Sequence, residues 1–173
     1  AFGGFVAMRV AIDRPERVNA MVLVNSTAKS PSGGQAPEWA RTVEAEGMEA
    51  ILDNQVARWF LERVHRDHPD VIKSYREMLG ANPPMGYAAN SRGVPLMDLR
   101  DELRAIQCPT LVVGGEEDGA IPPSVNEQNA EKIPGAQLVL VPDASHVVPE
   151  EQPEEFNRTT IDFLDRNVPT SVP

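Results

Sequence analysis

Two short runs constrain this chain more than anything else in it: residues 110–113, Thr-Leu-Val-Val, and residues 137–141, Gln-Leu-Val-Leu-Val. Both are apolar and rich in β-branched residues. Both give way at once to turn residues, Gly114-Gly115-Glu116-Glu117-Asp118 after the first and Pro142-Asp143-Ala144-Ser145-His146 after the second. Runs of this length and type read as strands buried on both faces, as in a parallel sheet. Between them, residues 124–133 carry an amphipathic helical pattern, opened by Pro122-Pro123 and closed by Pro134-Gly135, so the unit is βαβ. Strands joined by such a crossover are parallel, and their carboxyl ends share one edge. Asp118 lies just past the first strand and His146 just past the second. An acid and a base are therefore delivered to the edge where open α/β sheets place their ligands.

The rest of the chain extends this core at both ends. Residues 5–12, Phe-Val-Ala-Met-Arg-Val-Ala-Ile, follow Ala1-Phe2-Gly3-Gly4 and read as a helix packed on a sheet. Residues 13–17 break that helix, residues 21–24 read as a third buried strand, and Asn25-Ser26-Thr27 ends it. A helix from about 150 to 167 closes the chain. Its acidic first turn, Glu150-Glu151 with Glu154-Glu155, reads as a solvated helix start. From 29 to 106 strand-like runs disappear. Segments 37–46, 48–64, 69–79 and 98–106 have helical apolar spacing, and Pro83-Pro84-Met85-Gly86 reads as a break. The expected organisation is a core over 1–28, an all-helical cap over 29–106, core again over 107–168 and a loose tail over 169–173. The natural place for the insertion is above the carboxyl edge.

The totals exclude several classes. With 16 Lys and Arg against 26 Asp and Glu, the net charge is −10 and no basic cluster occurs, which argues against nucleic acid or an anionic membrane as partner. Cys108 is the single cysteine, so no internal disulfide can form, and a reducing compartment suits the chain. No apolar run approaches the ~18 residues of a membrane span, and the first residues lack a basic signal-peptide region. The expectation is a soluble, cytoplasmic protein. At 173 residues the chain is one domain's worth.

A base held by an acid is the second half of a nucleophilic relay. Asp118, with prolines four and five residues on, is the candidate acid; Glu116 and Glu117 are rivals that fall earlier in the turn. Taken alone, such an aspartate is a turn or cap residue and such a histidine a loop residue; it is their shared edge that singles them out. Ala1-Phe2-Gly3-Gly4 before an apolar helix fits the second half of a nucleophile elbow, Gly-x-Ser-x-Gly, and puts Ala1 where the serine belongs. The order nucleophile, acid, base then runs 1, 118, 146. Gly3-Gly4 as a flexible helix start is the competing reading.

Several stretches resemble the carboxyl-terminal two-thirds of an α/β-hydrolase: Ala-Phe-Gly-Gly, Arg-Pro-Glu-Arg-Val with Leu-Val-Asn-Ser-Thr-Ala, Gly-Glu-Glu-Asp-Gly-Ala-Ile-Pro-Pro, and Asp-Ala-Ser-His with Glu-Gln-Pro-Glu-Glu-Phe-Asn. Gly47-Met48, Arg58-Trp59-Phe60 and Met85-Gly86-Tyr87-Ala88-Ala89 resemble the cap of the 3-oxoadipate enol-lactonase group. The resemblance implies an α/β-hydrolase fold, represented by its later parallel strands with flanking helices plus a helical cap. It puts the family's serine on Ala1, its acid on Asp118, its base on His146 and one oxyanion donor on the Phe2 amide; the second donor belongs to a loop upstream of this chain. It implies hydrolysis of a small ester or lactone without metal or organic cofactor. Ala1 has no hydroxyl, which leaves an engineered change, a cleavage product or a natural loss as explanations. The strands that precede the elbow in the family are missing, so an amino-terminal portion of the hydrolase is expected as a separate chain or an omitted segment. A non-catalytic small-molecule receptor and a C–C bond hydrolase of the same fold are the alternatives.

Other residues carry weaker signals. Trp59, Phe60, Tyr87 and Met85 are candidates to touch substrate from the cap, or else to pack within it. Arg58 and Arg92 could hold a substrate carboxylate, though surface arginine is the commoner role. His65 and His68, three residues apart, read as a solvated helix end in preference to a metal site. Cys108, before a proline at a strand start, reads as structural.

Overall fold

In the computed structural model, residues 1–168 are described; the expected tail at 169–173 lies outside the described residues. The described residues divide into two compact units, one made of residues 1–28 and 99–168 and the other of residues 29–98.

The first unit is built on three parallel strands in the order β1 (Met21–Val24), β2 (Thr110–Gly115) and β3 (Gln137–Val141). The register pairs Val24 with Val113 and Gly115 with Val141. Successive side chains of a strand point to opposite faces, and two cores follow from that alternation. On one face Leu23 and Val112 pack with Met8 of helix α1 (Phe2–Asp13) and with Ile133, at the end of α7 (Pro123–Lys132). On the other, Leu111, Val113 and Val141 pack with Val148 of α8 (Val148–Glu151) and Phe163 of α9 (Pro153–Asn167). Helices thus lie on both faces, which is why β1 and β2 read as continuous apolar runs. Strand β3, at the end of the strand order, departs from the expected buried strand, with Gln137 and Leu138 exposed and Val141 alone fully buried. Each fully buried aliphatic or aromatic side chain here contributes about 1.5–3 kcal/mol relative to exposure.

Further expectations are revised in this unit. Strand β2 runs two residues beyond the apolar run, because Gly114 and Gly115 still pair with Leu140 and Val141. The closing helix is two helices: Pro153 forbids helical backbone at Gln152 (φ −138°, ψ 62°) and α8 ends there. The acidic start is only half solvated, since Glu150 is exposed and Glu151 is buried.

The second unit is all-helical, with α2 (Ala36–Glu46), α3 (Glu49–Trp59), α4 (Glu62–Asp67), α5 (Pro69–Gly80) and α6 (Pro84–Gly93). Its core is Val43, Met48, Ile51, Leu52 and Leu79, against which Trp59 and Tyr87 pack. The run 48–64 is interrupted where Phe60 turns extended (φ −126°, ψ 148°). Pro84, expected to mark only a break, instead opens α6, since proline is at home in a first helical turn where no N–H is needed. The boundary with the first unit falls after Asp98 rather than after Ile106. Residues 99–106 form a loop with a 3₁₀ turn at Leu103–Ala105, and Leu99, Leu103 and Ile106 belong to the same core as Met8 and Leu23.

Candidate active site

The carboxyl edge of β2 turns sharply because Asp118 caps its own turn. One carboxylate oxygen, Oδ1, accepts the backbone N–H of Ala120 (2.7 Å) and of Ile121 (2.9 Å), the bond pattern of an Asx turn. The other, Oδ2, lies 2.8 Å from Nδ1 of His146. One oxygen of this carboxylate thus closes the turn and the other faces the imidazole. The Asp118 side chain is fully buried and that of His146 keeps 12% exposure. A carboxylate bonded to Nδ1–H fixes the tautomer that leaves Nε2 as acceptor. Glu116 and Glu117 are exposed; their amides bond the carbonyls of Val141 and Ala144 (both 3.0 Å), which seats the acid turn on the base loop.

Ala1 stands at the same edge. Its nitrogen lies 3.1 Å from the Val24 carbonyl oxygen, at the carboxyl end of β1, and 3.1 Å from Ser26 Oγ. Helix α1 begins at Phe2, whose N–H is one of the donors that a helix's first turn leaves without an intrahelical acceptor. The entry is tight: a Cβ on Gly4 would stand 2.0 Å from Ser26 Oγ.

Two residues at this edge escaped the sequence. Asn25, read only as the end of a strand, is buried, has φ 42° and bonds three backbone groups, two in the base loop and one at the end of β2. Its signal was an Asn directly after a buried strand, the residue type most at ease in left-handed backbone. Glu151, read as solvated, accepts the Ser145 N–H at 2.6 Å; nothing in the acidic run distinguished it from Glu150.

The helical unit's candidates have partners within that unit. Arg92 is paired with Glu44, and Arg58 lies 5.1 Å from the ring of Trp39. Trp59 and Tyr87 are partly buried against the helical core, Phe60 is buried edge-on to Tyr75, and Met85 is 67% exposed. His65 and His68 fall in and just after α4, and among the described residues no group of three or more His, Cys, Asp or Glu is placed to hold a metal ion. Cys108 is buried, with its Sγ 4.0 Å from Thr110 Oγ1. No helix among the described residues is long and apolar enough to cross a membrane.

A parallel sheet covered on both faces, with an acid and an imidazole paired at its carboxyl edge and a helix starting beside them, defines a class, and the sequence agrees: the chain belongs to the alpha/beta hydrolase family, whose pattern matches residues 1–159. Within the family it is enol-lactonase-like. It is 29% identical over 160 residues to 3-oxoadipate enol-lactonase 2 of Acinetobacter baylyi, covering 91% of this chain and 58% of that one. Among solved structures, the enol-lactonase from Burkholderia xenovorans superposes with a TM-score of 0.92 at 31% identity, over 95% of this chain and 63% of that one. A thermophilic esterase from Thermogutta terrifontis matches with a TM-score of 0.88 at 35% identity, over 96% of this chain and 62% of that one. The chain thus spans about three-fifths of the length of these relatives.

Proposed function

We propose that the whole protein is a serine-type hydrolase of a small ester or lactone, with position 1 as the nucleophile site, Asp118 as the orienting acid and His146 as the base. The observation that carries this is the 2.8 Å contact between Asp118 Oδ2 and His146 Nδ1 beside the start of α1. A serine at position 1 attacks the carbonyl as His146 takes its proton. Asp118 holds the ring and stabilises the imidazolium that forms. The Phe2 amide meets the oxyanion, His146 returns its proton to the leaving oxygen, and water releases the acid through the same base. The mechanism calls on side chains and backbone alone. The second oxyanion donor comes from a segment that the longer relatives carry.

The alanine at position 1 favours a second reading, a receptor that keeps the hydrolase scaffold without turnover. One experiment separates the two. The Ala1→Ser form, expressed with the amino-terminal segment typical of the longer relatives, is assayed on enol-lactones and short nitrophenyl esters. Turnover that disappears in His146→Ala supports the hydrolase. No turnover on either series, with ligand binding that survives His146→Ala, supports the receptor. Product analysis distinguishes ester cleavage from C–C cleavage, because the two release different leaving groups.

A further inference from the structure

We propose that Asn25 is a positioning residue for His146: its carboxamide ties the base loop and the acid turn to the end of β1, and Glu151 secures the base loop from its other side. The proposal rests on reading Asp118 and His146 as the acid and base. Asn25 is 1% exposed, and its side chain spends its hydrogen bonds on backbone far away in sequence. Nδ2 donates to the carbonyl oxygens of Ser145 (3.0 Å) and His146 (2.7 Å), and Oδ1 accepts the Gly115 N–H (3.0 Å). Its own N–H donates to the Val113 carbonyl at 2.8 Å, so the residue is anchored to β2 while it reaches the loops.

These bonds fall where Asp118 and His146 diverge from the sheet. Gly115 opens the acid turn, and the Asp118 N–H returns to the Gly115 carbonyl at 3.3 Å. Ser145 immediately precedes the base. Its carbonyl is held by Asn25 and its N–H by Glu151 Oε2, so both polar groups of Ser145's backbone are fixed by buried side chains. The side chains of Asp118 and His146 meet, but the spacing of the backbones that carry them is set by Asn25 together with the Glu117 N–H to Ala144 carbonyl bond. A misplacement of ~1 Å at such a site costs about 100-fold in rate. Loss of a buried carbonyl's donor is also unfavourable in itself, which pushes the loop to seek water.

A role confined to folding and a role in positioning make different predictions for the imidazole. The test is NMR on the 173-residue chain with ¹⁵N-labelled histidine, following the Nδ1–H proton that His146 shares with Asp118. Asn25→Gly suits the left-handed backbone and deletes the carboxamide. In the folded variant that resonance should be lost, or exchange with water at least about tenfold faster, as a local opening becomes easier. Asn25→Asp keeps the acceptor for Gly115 and removes both donors to the base loop; the same change is expected, and this variant decides the matter if Asn25→Gly does not fold. A resonance with unchanged position and exchange rate in either folded variant, whatever its melting temperature, overturns the proposal. The signal needs no turnover. Failure of the Ala1→Ser protein on all esters would therefore sink the functional reading alone, and an unmoved resonance the positioning role alone.

Discussion

Gly115 and Ser145 stand so close that a Cβ on Gly115 would lie 2.2 Å from the Ser145 carbonyl oxygen, and 2.4 Å from that of Ala144. Both obstacles are backbone, and the Ser145 carbonyl is already held by Asn25, so neither can swing aside as a side chain would. Gly115→Ala should destabilise the protein by about 1–3 kcal/mol, the range of forced overpacking. Gly119→Ala, three positions from the same turn's Glu116, meets nothing within 4 Å and serves as the control. Thermal melts of the two variants side by side check this; equal melting temperatures would refute it.

Asp118→Asn separates the two jobs of the carboxylate. Asn can keep an oxygen toward the Ala120 and Ile121 amides, so the turn survives and the melting temperature should move little. Its NH₂ then faces His146 Nδ1 and forces the wrong ring tautomer. In the protein carrying Ala1→Ser, kcat should fall by ~10⁴. A fall of less than about tenfold in kcat with an intact fold would remove Asp118 from the mechanism.

How much of this was legible depended on whether a signal was local. The strands at 21–24 and 110–113 announced themselves because a strand packed between helices must be apolar; 137–141 carries the same pattern although Gln137 and Leu138 are exposed. Asp118 and His146 were legible because parallel strands deliver whatever follows them to one edge. The 99–106 segment was assigned to the helical insertion because its apolar spacing is helical; what decided its place was packing of Leu103 against the first unit's core, a long-range fact. Helix α6 was hidden by Pro83-Pro84, since the same dipeptide can end one element or open the next. Asn25 and Glu151 were out of reach for a related reason. Their roles are defined by backbone groups elsewhere in the chain, and no spacing within the sequence records them.

The helical unit should lose stability in acid through exposed ion pairs, that of Arg92 with Glu44 among them. Arg92 hydrogen-bonds Glu44, chiefly, and so holds that carboxyl below its ordinary value of 4.5. A carboxyl depressed in the folded state contributes stability that is present above its unfolded value and is lost as pH falls through its folded value. Melting temperature should therefore drop as pH is lowered from about 5 toward 3, and Glu44→Gln should flatten that part of the curve. The pair is exposed, so 1 M salt should shrink the difference between the two proteins. Identical acid limbs for both proteins at low salt would exclude a contribution from this pair.

The start of α1 should depend on the size of the residue facing it. A Cβ on Gly4 would meet Ser26 Oγ at 2.0 Å and Ser26 Cβ at 2.4 Å, and Ser26 is buried at 1% exposure. Gly4→Ala alone should destabilise by about 1–3 kcal/mol despite alanine's better helix propensity. Ser26→Ala removes only the nearer atom and should rescue little. Ser26→Gly removes both and should restore most of the loss, giving a coupling of about 1–2 kcal/mol in a double-mutant cycle. The cycle is read from urea midpoints of the four proteins. Additive effects would mean that the helix relieves the clash by shifting its first turn, and with it the Phe2 amide that the proposed oxyanion site requires to stay in place.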